Sequence, residues 1–450
     1  MIRKLKYFKF SRYAVRLGLP VLVFTGLSVS AQEVRKISLQ EAVELGLRNS
    51  KELQVTRSRI DLALNRFRQA EEQGLPSASA GIMYNHAEFL GSGFRLPGSS
   101  EALHLPSNAN AYIGTVSVEQ LVFAGNRLRY AKESADLLTG IARLDAAKDS
   151  AEIAYSIISS YYNLYRLQQS QKVLTQSLAS VDRQLKQAEQ FFEQGVVTKN
   201  DVLRYQLQRS QIELTGLDLE TNRKVVNYNF DILLGLPETT VVEVEEVPET
   251  EAAGGADAFI GTALSNRPEL MSSDHRYRLA ETNLKSVKSE MLPTVGVGGN
   301  LYFINPSGKF IPPSQTFLAP VAVAANLSWN IDKLWTGKTR ISEARIQQVE
   351  AGLQRNVAAD RIRSEVNRNF LEYRKALQRI GVLQVSVEQA RENDRIMESK
   401  YRNNIASVTD RIDAETQLFQ TLINLEISRA DAGLAYYTLL KSTGTIIQSK

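Results

Sequence analysis

The 450-residue sequence predicts a mainly α-helical chain with an internal two-fold repeat, in which four short strands per subunit supply part of a membrane β-barrel. Three observations predict this. Two proline-free tracts, 107–236 and 321–450, carry helical apolar spacing; three segments flanking the long helices alternate with a period of two, with a fourth, Ser77 to Tyr84, weaker because Ala and Gly dominate it; and landmarks of the first half recur in the second about 210 to 217 residues later.

The chain opens with Arg3, Lys4, Lys6, Lys9, Arg12 and Arg16 and no acid, then runs apolar from Leu17 to Val29 and offers Val29-Ser30-Ala31 before Gln32. That pattern predicts a secretory signal peptide over 1–31. Without it, 48 basic residues stand against 49 acidic ones, so a precursor charge of +5 becomes about −1. A near-neutral mature chain has no electrostatic footprint for nucleic acid. There is no cysteine, hence no disulfide framework, thiolate site or lipid-accepting Cys. The mature chain has no stretch of 18 consecutive apolar residues, so any membrane crossing must be made by strands.

The repeat is visible at four places. Leu47 to Leu53 answers Leu264 to Leu270, and Leu75-Pro76 with Gly81 answers Leu292-Pro293 with Gly298, both at an offset of 217. Leu121 to Gly125 answers Leu334 to Gly337 with a small slip, and Phe192 to Gly235 answers Tyr401 to Gly444 at an offset of 209. Residues 32–237 form the first repeat and 259–450 the second. Between them, 238–258 carries six glutamates, Glu238, Glu243, Glu245, Glu246, Glu249 and Glu251, and reads as a solvated acidic linker. Each half reads as a helix, a pair of strands, a very long helix, a tight turn and a shorter helix.

Proline inside a helix costs about 3 kcal/mol, so two tracts of 130 residues without one permit very long helices. A helix from Asn126 to Gln194 would be about 100 Å long, several times the width of a globular core. Leu167, Gln171, Leu174, Leu178, Val181, Leu185, Ala188 and Phe192 step alternately by four and three, the seam of a coiled coil. Ile362, Val366, Phe370, Tyr373, Leu377 and Ile380 form the matching stripe of the second half.

The strands are expected at Ser77 to Tyr84, Ala111 to Gln120, Thr294 to Phe303 and Val321 to Ile331. The last is the clearest: Val321, Val323, Ala325, Leu327, Trp329 and Ile331 are apolar, and the residues between them small or polar. Such runs match the length of a tilted outer-membrane strand. The connecting segments, His86 to Asn110 and Asn305 to Ala319, have the Gly, Ser and Pro content of exposed loops. Four strands cannot close a barrel, and lipid tolerates no open edge, so the chain must oligomerise. Three copies would give twelve strands. A soluble α+β protein with a small covered sheet is the competing reading.

On the duplication, the strand-opening Leu75-Pro76 and Leu292-Pro293, the run Gly195-Val196-Val197-Thr198-Lys199-Asn200-Asp201 and Leu234-Gly235-Leu236-Pro237, the chain resembles the TolC-type outer-membrane efflux proteins over essentially its whole mature length. The resemblance implies a homotrimer in the outer membrane. Its twelve-stranded barrel would continue as a long α-helical coiled-coil periplasmic tunnel, with a mixed equatorial belt near 237–258. It further implies a channel that passively conducts cargo received from a periplasmic adaptor and an inner-membrane pump, in efflux or type I secretion. The tunnel would close at its periplasmic tip. Residue by residue, the aperture tyrosine falls on Tyr401, its aspartate partner on Asp201, and the constriction aspartates on Asp410 and Asp413. An arginine that helps hold the closed state in the best-known member of the family is Ala406 here, a departure from that closed-state lock.

The residues also have plainer readings. Thr198 with Asp201 and Ser407 with Asp410 fit N-terminal capping boxes, which would account for both acids without a gate. Asp413 lies beyond the box, either as part of a ring of tip carboxylates that favours cations or as a surface acid near Arg402 and Arg411. The turns Gly195, Val196 to Thr198 and Asn404, Ile405 to Ser407 read as adaptor docking tips or as simple helix turns. A hydrogen bond between Tyr401 and Asp201 is expected, so that Tyr401→Phe would loosen the tip.

An enzyme has little support. His86, His104 and His275 are the only histidines, no zinc or triad spacing accompanies them, and no Gly-rich phosphate loop follows a strand. No cofactor or metal is expected. A periplasmic adaptor, or a structural coiled-coil protein without a pore, remains the alternative. The first would need β-rich flanking domains, and the second has no use for paired period-two segments.

Overall fold

The computed structural model describes residues 34–88, 108–246, 254–306, 317–403 and 405–447. The expected signal peptide, most of the two loops between paired strands, Glu249, Glu251 and Asn404 lie outside the described residues. The first half runs β1 (Val34–Ile37), α1 (Leu39–Asn49), α2 (Lys51–Glu72), β2 (Ser77–Glu88), β3 (Asn108–Phe123), α3 (Arg127–Glu193) and α4 (Lys199–Leu234). The second repeats that order as β4 (Val241–Val244), α5 (Ala256–Asn266), α6 (Pro268–Ser289), β5 (Thr294–Pro306), β6 (Val321–Ser328), α7 (Lys333–Arg402) and α8 (Val408–Ser442).

The long helices α3 and α7 have 67 and 70 residues. The opening helix expected in each half is broken in two. In the first half, Ser50 leaves the helical region and its hydroxyl accepts from Leu53 N, starting α2 while ending α1. In the second, Pro268 has no N–H to continue a helix and drives Arg267 to an extended ψ of 118°, so α6 begins on the proline. Both breaks are packed against the chain's left-handed glycines. A Cβ on Gly235 (φ +69°) would meet Asn49 at 2.8 Å, and one on Gly444 (φ +77°) would meet Asn266 O at 3.0 Å. The repeat is therefore preserved down to which turn each C-terminal glycine touches.

The seam of α3 is buried at Leu174, Val181 and Ala188, one position per heptad. At the end of the seam, Phe192 is exposed, and its neighbour Phe191 packs inward. In the stripe expected on α7, Ile362, Val366, Tyr373 and Ile380 are buried. The pairs α3 with α4 and α7 with α8 form two helical hairpins that lie side by side.

Segment 238–258 is not wholly a solvated linker. It contributes β4, which pairs in parallel with β1, from Val34 with Val241 to Ile37 with Val244. Val242 and Val244 point inward while Glu243 and Glu245 remain exposed. Strands of four residues are too short for their pattern to be read, and side chains of the long helices secure them. Tyr161 Oη lies within reach of two carbonyl oxygens, Glu245 O at 2.9 Å and Ile37 O at 3.2 Å. The Gln168 amide bonds Val242 O and Val244 N, and Asn227 bonds Thr240 O and Val242 N.

The larger sheet is antiparallel, in the order β2-β3-β5-β6, so the halves join at β3 and β5. Three strands exceed the expected limits, because polar residues read as loop continue the ladder: Tyr84 Oη and His86 both bond Asn110 Oδ1. Strand β6 stops at Ser328, short of Ile331, where Trp329 Nε1 turns to donate to Met291 O at 2.9 Å. Ile82, Val321, Val323 and Leu327 are each more than 60% exposed, and among the described residues β2 and β6 each have one free edge. Among the described residues, no helix is long and apolar enough to cross a membrane.

Candidate functional site: the helical tip

At the end of the bundle away from the sheet, α3 turns into α4 and α7 into α8. Gly195 takes φ +75° with open space around it, and the first turn closes by Gly195 N to Phe192 O and Val196 N to Phe191 O at 2.9 and 2.8 Å. In the second turn Ile405 N donates to Lys400 O at 2.8 Å. Val196 and Ile405 project from the two turns, 47% and 74% exposed. Asn404 lies outside the described residues.

Both helices leaving the tip start with a reciprocal capping box. Thr198 Oγ1 accepts from Asp201 N, and Asp201 Oδ2 accepts from Thr198 N and Oγ1 at 2.9 and 2.8 Å. Ser407 and Asp410 repeat the pattern at 3.1 and 2.7 Å. These bonds stabilise the charged form, so the Ser407 hydroxyl and amide hold the Asp410 carboxyl below its ordinary range. Asp413 is exposed and makes no ion pair among the described residues. Neither nearby arginine reaches it: Arg402 pairs with Glu398 at 2.6 Å, and Arg411 turns inward to Asp394.

Behind the turns, Ala188, Val202, Tyr205, Tyr401 and Val408 bring all four helices into one apolar cluster. The rings of Tyr205 and Tyr401 meet edge to face, 6.4 Å apart at 68°. Burial raises both phenols above their ordinary range. The expected hydrogen bond from Tyr401 to Asp201 is not made. Asp201 Oδ2 serves the capping box, and among the described residues neither tyrosine hydroxyl makes a hydrogen bond of good geometry, although the two hydroxyls lie close enough to influence each other. Asp201 reaches Tyr401 only through its charge.

The cluster continues upward as a buried polar layer that reading by capping and repeat did not single out. Arg411 and Asp394 form an ion pair with side chains 4% and 18% exposed. Glu415, one turn along α8 from Arg411, is buried beside Ser180 and Gln184 of α3. An i,i+4 pair of opposite charges on α8 was the available signal. It did not reveal that both side chains point inward. Ala406 has no polar side-chain group to offer, and the Arg411–Asp394 ion pair ties α7 to α8.

The outer membrane efflux protein family matches the chain over residues 42–235 and 259–445. The outer membrane efflux protein BepC of Brucella suis biovar 1 (strain 1330) is 21% identical over 341 residues, covering 74% of this chain and 72% of its own. Nodulation protein T of Rhizobium leguminosarum bv. trifolii is 24% identical over 400 residues, covering 86% and 81%. Among solved structures, the outer-membrane channel OprN superposes with a TM-score of 0.75 at 18% identity, covering 90% of this chain and 89% of that one. VceC of Vibrio cholerae superposes at 0.76 and 15%, covering 90% and 96%. Two tandem helical hairpins on one four-stranded antiparallel sheet, and a family match in both halves, lead to one conclusion: the chain belongs to the outer membrane efflux protein family and is an outer-membrane efflux channel subunit.

Proposed function

We propose that three copies of the chain assemble into one duct, in which three four-stranded sheets close a barrel of 12 strands and the helical hairpins form a tunnel below it. The free edges of β2 and β6 carry this reading. Unpaired backbone groups cost several kcal/mol each in lipid, and joining β6 of one copy to β2 of the next removes every edge. Exposed apolar residues on α4 (Leu203, Leu207, Leu214, Leu217) and α7 (Ile346, Val349, Leu353) are what neighbouring copies would cover.

In this duct a periplasmic adaptor docks on the tip turns, Gly195, Val196 and Thr198 in one and Asn404, Ile405 and Ser407 in the other, and an inner-membrane pump supplies the cargo. Asp410 and Asp413 form a negative constriction, while Tyr401, with Asp201 behind it, sets how readily the aperture opens. Mass measurement in detergent should give a trimer, and Val196→Asp with Ile405→Asp should abolish export while leaving that trimer intact. A stable monomer would sink the assembly; normal export by the double variant would sink the docking surface.

A further inference from the structure

The polar layer above the tip holds one cation and two carboxyls. Arg411 of α8 is neutralised by Asp394 of α7, which leaves Glu415 as the unbalanced charge. Three helices besides its own surround Glu415: α3 presents Ser180 and Gln184, α4 presents Tyr205, and α7 presents Asp394. Among the described residues, Arg411 is the positive group facing it, and Asp394, its other charged neighbour, repels an anion.

The hydrogen bonds point the same way. Glu415 Oε2 is buried without a partner, and so is Oε1 of the adjoining Gln184, whose Nε2 is held at 3.2 Å from Ser180 Oγ. Two acceptors are thus buried in this layer without a donor. A protonated Glu415 supplies a donor where the carboxylate supplies only another acceptor.

We propose that Glu415 binds a proton in the packed tip, and that this proton holds the α7–α8 hairpin against α3 and α4. Burial, the largest influence on this carboxyl, raises it above the ordinary range and outweighs the opposing pull of Ser180, Arg411 and Gln184. The sign follows. A proton held more tightly in the packed state than in the opened one makes packing firmest in acid, and the advantage is lost as pH rises from the ordinary carboxylate value through the raised one. The Arg411–Asp394 ion pair ties α7 to α8, and Glu415 lies beside it as the group that binds the proton. The proton site stands on the helical tip alone; its consequence for conduction rests on the tip being the closed end of the duct.

The test is amide hydrogen exchange on the full-length protein in detergent between about pH 4 and about pH 8, with protection corrected for intrinsic rates. In the wild type, protection of 390–402 and 408–425 should fall with rising pH, about tenfold for each unit by which the carboxyl is raised. Glu415→Gln, neutral and of the same shape, should hold the acid level of protection throughout. Asp394→Asn, which frees Arg411 to pair with Glu415, should move the fall to lower pH. Protection independent of pH in the wild type, or unchanged pH dependence in Glu415→Gln, overturns the proposal. Single-channel opening separates the two readings: if exchange is proton-linked but opening is not, the proton site stands and the tip is not the gate.

Discussion

Removing one hydroxyl tests how the tip is held. Tyr401→Phe keeps the ring packed edge to face on Tyr205 at 6.4 Å, an arrangement worth about 0.5–1.5 kcal/mol beyond area burial, and deletes an oxygen that has no partner. A buried hydroxyl left unsatisfied costs about 1–3 kcal/mol, so its removal should tighten the packed tip by about 1 kcal/mol per chain. That is a factor of about 5 in the opening equilibrium of one chain, and about 100 if three chains of the proposed assembly open together. Tyr401→Ala sets the opposite limit, since loss of the buried ring costs about 3–5 kcal/mol. Opening frequency in planar bilayers should therefore rank Tyr401→Phe below wild type and Tyr401→Ala far above it, with exchange protection at 390–402 in the reverse order. A Phe variant that opens more readily than wild type would mean that the hydroxyl holds a bond in the working channel, and the contact with Asp201 expected from the sequence would be reinstated.

The proposed constriction is best probed with asparagine, whose amide oxygen can still accept from Ser407 N at the third position of the capping box, as alanine cannot. Asp410→Asn with Asp413→Asn should lower cation preference and weaken block by multivalent cations without loosening the turns; unchanged selectivity would reduce both acids to caps and surface groups. Ser407 holds the Asp410 carboxyl below its usual range, so the Asp410 share of that preference should persist as pH falls through the ordinary carboxylate value and vanish only at lower pH. In the equatorial core, Asp231 is fully buried with one oxygen unpartnered, and burial pushes it up to about 6. Ionising it therefore destabilises the fold progressively from about pH 4 to about pH 6, by about 1–3 kcal/mol. Asp231→Asn should raise the thermal midpoint near neutral pH and flatten its pH dependence, and a midpoint lowered equally at all pH values would show that the carboxylate is satisfied.

The long helices, the strand pairs and their repetition were legible from residue order alone, because each of these is local. Missing prolines permit α3 and α7, period-two alternation marks the strands, and Thr198-x-x-Asp201 and Ser407-x-x-Asp410 carry their own capping partners within four residues. Tertiary structure decided what depends on contact across the chain. The pairing of β1 with β4 joins residues about two hundred positions apart through strands too short to show a pattern, and it relies on Tyr161, Gln168 and Asn227 from two other helices. At the tip, the packing of Tyr401 against Tyr205 decided that its hydroxyl does not bond Asp201 of the same chain, whose Oδ2 caps its own helix. Which charges face inward was settled only by the packing of four helices. Arg411 and Asp413 are two residues apart on α8, yet one is sealed against Asp394 and the other faces solvent, a difference set by which side of the helix meets its neighbours.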